Sequence, residues 1–179
     1  MTDRASRLEK LEFLGDGTRF SREIQALIPT CELLADLSPA EARLLAPYLD
    51  VHRCEAGIRV VGEGDRAEFM LIVLEGCLEN FGHEVRDGPS TAATLGPGAI
   101  LGESALIDGE PHVGTCVAAE PALLGVMHRE SLARLIIGQP TLGAKLLMGL
   151  LALLSARLRA ARDRLTALRE ERPAIGEST

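Results

Sequence analysis

The sequence predicts an α+β protein with a mainly β core: a small antiparallel barrel or jelly roll, led in by helices and followed by one long helix. Three observations carry this. Between Val51 and Met127, short apolar runs alternate with glycine turns, the pattern of a closed antiparallel sheet. On either side of that region, apolar residues recur every three or four positions, which is the helical period. The chain has 179 residues, 46% of them hydrophobic, enough to bury one domain's core and too apolar for a disordered chain.

The elements follow in order. Leu8, Leu11 and Leu14 predict a first helix over Arg4–Leu14, stopped by Gly15-Asp16-Gly17; Phe20, Ile24, Leu27 and Ile28 predict a second, ended by Pro29. Ser38-Pro39-Ala40-Glu41 is a capping box with proline at the first helical position. The helix it opens carries Leu44, Leu45 and Tyr48. Strands are expected at Ile58–Val61, Met70–Leu74, Cys77–Phe81, Ala99–Leu101, Cys116–Ala118 and Leu123–Val126, with polar Gly82–Thr94 as a hairpin excursion. A helix is expected over Arg129–Ile137, and after Gln139-Pro140 a long one to about Arg172. On the long helix Leu147, Leu154, Ala161 and Leu168 fall one heptad apart, the seam of a two-helix contact. A parallel homodimer through this helix is the expected assembly.

Charge is unevenly spread. Residues 1–128 hold 10 Lys+Arg against 21 Asp+Glu, net −11, and residues 129–179 hold 9 against 5, net +4. An acidic globule with a basic helical tail is expected, the tail mainly a solvated face. Aromatic residues make up 3% with no Trp, which argues against a base-stacking platform for single strands. The charged start MTDRASRLEK is unlike a secretory signal, and the apolar run Leu146–Leu154 is too short to span a bilayer. Cys31, Cys54, Cys77 and Cys116 lie far apart and read as reduced, buried residues of a cytoplasmic protein. His52, His83, His112 and His128 form no ligand pair, so no metal is expected. No nucleophile motif or Walker loop is present, and an enzyme is not expected.

The chemistry concentrates in Ala99–Val117, AILGESALIDGEPHVGTCV. Gly102, Glu103, Ser104 and Ala105 predict a tight turn into a short helix, with backbone N–H groups free for an anion and the Glu103 carboxylate beside them as a fixed acceptor. Thr115 offers a hydroxyl. Nine residues after Glu103, where a cationic clamp would be expected, stands His112.

This stretch resembles the phosphate-binding cassette of the cyclic nucleotide-binding domain family, found in catabolite-activator-like regulators and cyclic-nucleotide-dependent kinases. Leu101-Gly102-Glu103-Ser104-Ala105-Leu106 matches its first half, and Pro111-His112-Val113-Gly114-Thr115 its second, with the arginine replaced. Gly57 to Asp65, Phe69 to Gly76 and Leu95 to Gly98 resemble further family turns and strands in the expected order, roughly Leu33 to Leu154 in all. The resemblance implies a double-stranded β-helix (jelly-roll) sensor domain without catalytic activity, lidded by the long helix. It implies that Glu103 accepts from a ribose 2′-hydroxyl, that Gly102, Ser104 and Ala105 present N–H groups to a phosphate, and that cyclic AMP or cyclic GMP is the ligand.

His112 weakens that expectation. A guanidinium grips phosphate with two parallel bonds and a permanent charge, whereas an imidazole is largely neutral at pH 7. Losing a charged partner costs ~1.5–3 kcal/mol per bond, roughly 10- to 100-fold in affinity. Val113 also replaces a small or hydroxyl-bearing residue. Arg157 or Arg159 of the long helix are the reserve cations.

The expected division is 1–30 helical lead, 31–137 barrel, 138–172 dimerisation and lid helix, and 173–179 tail. Only seven residues follow Arg172, so no DNA-reading domain is expected. Two functions remain open: a ligand-binding regulatory module acting on a protein partner, or an interaction protein with a vestigial pocket.

Overall fold

The structure, a computed structural model, describes residues 7–66, 68–82 and 92–170. Nine strands form two antiparallel sheets among the described residues. One holds β1 (Glu12–Asp16), β2 (Asp50–Cys54), β9 (Ala122–His128), β4 (Phe69–Glu75) and β7 (Ile100–Leu101), in that spatial order. The other holds β3 (Arg59–Val61), β8 (Thr115–Ala118), β5 (Leu78–Phe81) and β6 (Ala92–Leu95).

The continuous apolar run of β4 follows from burial on both faces. Leu71 and Val73 point into the barrel with Val60, Leu78, Cys116, Leu124 and Val126. Met70, Ile72 and Leu74 point the other way, into a second core shared with the helices. Alternation along the strand produces this division. Centrally, Gly125 of β9 pairs with Val51 of β2 on one side and Ile72 of β4 on the other.

The helical layer comprises α1 (Ser21–Ala26), α2 (Pro39–Leu45), α4 (Arg129–Gly138) and α5 (Pro140–Glu170); the short α3 (Glu103–Asp108) sits on the barrel wall. The expected capping box is formed at Ser38 and Glu41. Glu41 also pairs with Lys145 of α5 at 2.8 Å, and that ammonium is the main reason its carboxyl is held at about 2.

The first N-terminal helix is a correction. A 3-10 turn at Arg7–Lys10 leads into β1, which pairs with β2 through Glu12–Arg53 and Phe13–His52. Spacings of three suit a 3-10 turn as well as an α-helix. Leu8 and Leu11 use theirs to enter the barrel core. The second segment is helical as expected, from a 3-10 turn at Gly17–Phe20 into α1. β5 and β6 pair as a hairpin, whose intervening residues 83–91 lie outside the described residues.

Leu142, Leu146, Leu150 and Leu153 bury one face of α5 in the helical core. Beyond them Leu158, Leu165 and Leu168 are exposed. By length and composition α5 is apolar enough to cross a membrane, more than the nine-residue run suggested. Its buried stripe already has a protein partner, and Arg157, Arg159, Arg162 and Arg164 break up its second half.

Candidate functional site

Gly102 sets the cassette's geometry. It caps α3 in the left-handed region, with φ 82°. A Cβ there would lie 2.8 Å from both the Phe69 carbonyl oxygen and His112 Cε1. Only glycine meets both demands. The turn places Glu103 in the first turn of α3, 4% exposed.

Glu103 is met from the lid. Arg157 Nη1 of α5 donates to its Oε1, while Nη2 donates to the Ile100 carbonyl at 2.8 Å. Glu103 Oε2 is buried and has no hydrogen-bond partner. A buried carboxylate oxygen without a donor is costly, and this atom retains the capacity to accept from a hydroxyl or N–H.

His112 is buried, 8% exposed. Its backbone is fixed by His112 N donating to the Asp65 carbonyl (2.9 Å) and Gly64 N donating to the His112 carbonyl (2.8 Å). Its ring tilts against Phe69 at 6.0 Å between centroids, and Phe69 contacts His128 at 5.9 Å. Burial lowers the His112 pKa, against the pull of Asp65 and Glu103. The imidazole is therefore neutral at pH 7, and its buried Nε2 is unpartnered. The cassette thus offers an orphan acceptor, an orphan imidazole nitrogen and one guanidinium supplied by α5.

The other expected site residues are less central. Ala105 is buried, Ser104 is exposed, and Val113 is 81% exposed. The Thr115 hydroxyl accepts from Glu63 N at 3.2 Å, bracing the neighbouring turn. Arg159 is exposed; of the two reserve cations, Arg157 reaches the cassette.

Arg129 is a residue that sequence reasoning missed. As the first residue of α4, it donates to the Leu106 carbonyl (2.9 Å) and the Ala105 carbonyl (3.4 Å) and pairs with Glu68 at 3.4 Å. It caps the C-terminal end of α3, where a cation suits the exposed carbonyls, and ties the cassette to the first helix after the barrel. Nothing local marks it in the sequence. Among the described residues no group of three or more His, Cys, Asp or Glu is placed to hold a metal.

Comparison with known proteins agrees with this geometry. The family model described as "Cyclic nucleotide-binding domain" matches residues 51–138. The cyclic AMP receptor protein of Thermus thermophilus is 30% identical over 129 residues, covering 72% of this chain and 58% of that protein. Acetyltransferase Pat of Mycolicibacterium smegmatis is 32% identical over 100 residues, covering 56% and 30%. This chain thus spans less than two thirds of either relative. The crystal structure of a cyclic nucleotide-binding domain from Methylobacillus flagellatus superposes with a TM-score of 0.79 at 30% identity, covering 98% of this chain and 99% of that one. In sequence, barrel and cassette alike, the chain belongs to the cyclic nucleotide-binding domain family.

Proposed function

We propose that this chain is a non-catalytic, cytoplasmic sensor module. It binds a cyclic nucleotide or related anionic ligand in the barrel and reports occupancy through α5, as a homodimer, to a protein partner. One observation carries the reading: Glu103 turns one oxygen to Arg157 of α5 and leaves the other buried and unpartnered. A ligand hydroxyl on Oε2 would reinforce the same carboxylate that holds the lid. Occupancy and lid position are then linked through a single side chain, and the coupling runs both ways. Arg129 supplies a second link, from α3 to α4.

The phosphate side is weak. Arg157 already serves two acceptors and His112 is neutral, so cyclic AMP and cyclic GMP bind less tightly than with a cassette arginine. The second reading is an adaptor with a vestigial pocket. It is favoured by the close packing of the His112 ring on Phe69 and Gly102.

Isothermal titration with cyclic AMP and cyclic GMP tests the proposal. Weak saturable binding that Glu103→Ala abolishes supports the sensor. Silence of wild-type protein toward both nucleotides and a panel of cyclic dinucleotides, with folding intact, supports the adaptor.

A further inference from the structure

Three cavities share lining residues pairwise, the first against the N-terminal helices and the third against α5. The first, ≈ 610 Å³, lies between Arg19, Arg22 and Arg43. The second, ≈ 530 Å³, shares Arg22 and Glu23 with the first and continues past Leu27 and Leu74 to Thr30 and Pro97. The third, ≈ 580 Å³, shares Thr30 and Pro97 with the second and ends against Ala156, Arg157 and Ala160 of α5. The shared walls make them one groove.

Its first end runs against the charge of its surroundings. Residues 1–128 carry a net −11, yet three exposed arginines converge there. None of them forms an ion pair with another described residue; Arg43 reaches only Gln25 Oε1, at 3.5 Å. The nearby Asp16 carboxylate accepts from Thr18 N at 2.8 Å and is also attracted by Arg19 across a longer distance. At the junction with the second cavity, Glu23 Oε2 is buried without a hydrogen-bond donor.

We infer that this groove docks an extended acidic segment of a partner protein, with acidic residues on the arginines and apolar residues along the middle. A small anion would satisfy the guanidinium groups but bring no N–H donor to Glu23 Oε2. A polypeptide brings carboxylates for the arginines and a backbone N–H for Glu23 Oε2. Ala26, Leu27, Leu74 and Pro97 then receive apolar side chains. Three adjoining cavities suit an extended chain, whose side chains step along at about 3.3 Å per residue. The far end of the groove is built partly from α5, at the arginine that holds Glu103. The docked segment therefore touches both the N-terminal helices and the lid. The inference does not depend on which ligand the barrel takes, or on its taking one.

The test is selection of a random linear peptide display library on the full chain, followed by fluorescence anisotropy of the enriched peptides. Sequences with Asp or Glu at one end and Leu, Ile or Val beyond it are expected. Joint Arg19→Glu, Arg22→Glu and Arg43→Glu substitution, at exposed sites, should weaken them about tenfold or more, with the melting temperature retained. Ala160→Trp, blocking the α5 end without a charge change, should weaken them as well. Enrichment without acidic residues, binding indifferent to both variants, or full displacement by millimolar inorganic phosphate would overturn the inference, the last by reducing the groove to a small-anion site.

Discussion

Arg157, on the helix that leaves the barrel, donates to Glu103, buried in the cassette, across 54 positions of sequence. The Glu103 side chain is 5% exposed and that of Arg157 46%, so the pair is anchored from within and open from the solvent side. Removing the guanidinium leaves a buried carboxylate with neither oxygen paired. A fully buried pair broken in this way loses about 3–5 kcal/mol, and solvent access to Arg157 reduces that to about 1–3 kcal/mol. Arg157→Ala should show this loss in urea denaturation and faster amide exchange in α5 beyond Leu153. Glu103→Gln should release α5 with a smaller loss, because no charge is stranded. Unchanged exchange in both variants would mean that the pair does not hold the lid.

His112 makes two pH dependences run in opposite directions. Its folded pKa is lowered by burial, so between that value and the unfolded value near ~6.5 the unfolded chain binds more protons. Stability therefore falls as pH drops through this window and levels off below the folded pKa. His52, also lowered chiefly by burial, adds to the same trend. A bound anion would raise the His112 pKa, so anion affinity should increase as pH falls. Denaturation and cyclic AMP titrations at pH 6 and pH 8 test both signs. His112→Arg should tighten cyclic AMP binding by roughly 10- to 100-fold. No gain would mean that the space beside Gly102 does not admit a clamping guanidinium.

What the sequence displayed clearly was whatever depends on neighbours along the chain. The Ser38 capping box, the glycine turn into α3 and the doubly buried strand β4 each carry a local signature. β1 was hidden because leucines three apart suit two kinds of turn, and Phe13 and Glu12 sit exposed on an edge strand without alternation. Cassette residues were visible as a motif, but their electrostatics were not. The burial of His112 depends on Phe69 and on the strand-like pairing with residues 64–65. Arg157 was legible as one of two cations on the lid helix, but not its pairing with Glu103, 54 positions away; Arg129 arrives from 23 positions away, and side chains that meet only through the fold leave no spacing to read.

Gly102→Ala should uncouple the cassette without touching a charge. The left-handed conformation costs an alanine about 1–2 kcal/mol. The added Cβ also meets a backbone carbonyl at 2.8 Å, which cannot swing aside, and His112 Cε1 at the same distance. A total loss of about 2–4 kcal/mol is expected, with His112 displaced and the Glu103–Arg157 pair weakened as α3 shifts. Chemical denaturation measures the first effect and the histidine ring resonances the second. Wild-type stability in this variant would show that the turn relaxes freely.

The proposed dimer puts the distal half of α5 to use. Leu158, Leu165 and Leu168 are 73%, 60% and 63% exposed, on a helix whose proximal leucines are already buried in the helical core. With Leu147, Leu154 and Ala161 they form a seam at the heptad period that a second copy of the helix would cover. Leu158 and Leu165 touch no described core, so glutamate at both should leave the barrel folded. In a dimer it would bring four carboxylates together at the seam, at a cost of several kcal/mol. Sedimentation should show wild type as a dimer and the Leu158→Glu, Leu165→Glu variant as a monomer with an unchanged urea midpoint at low protein concentration. A wild-type monomer, or a dimer indifferent to both substitutions, would leave these leucines to another partner.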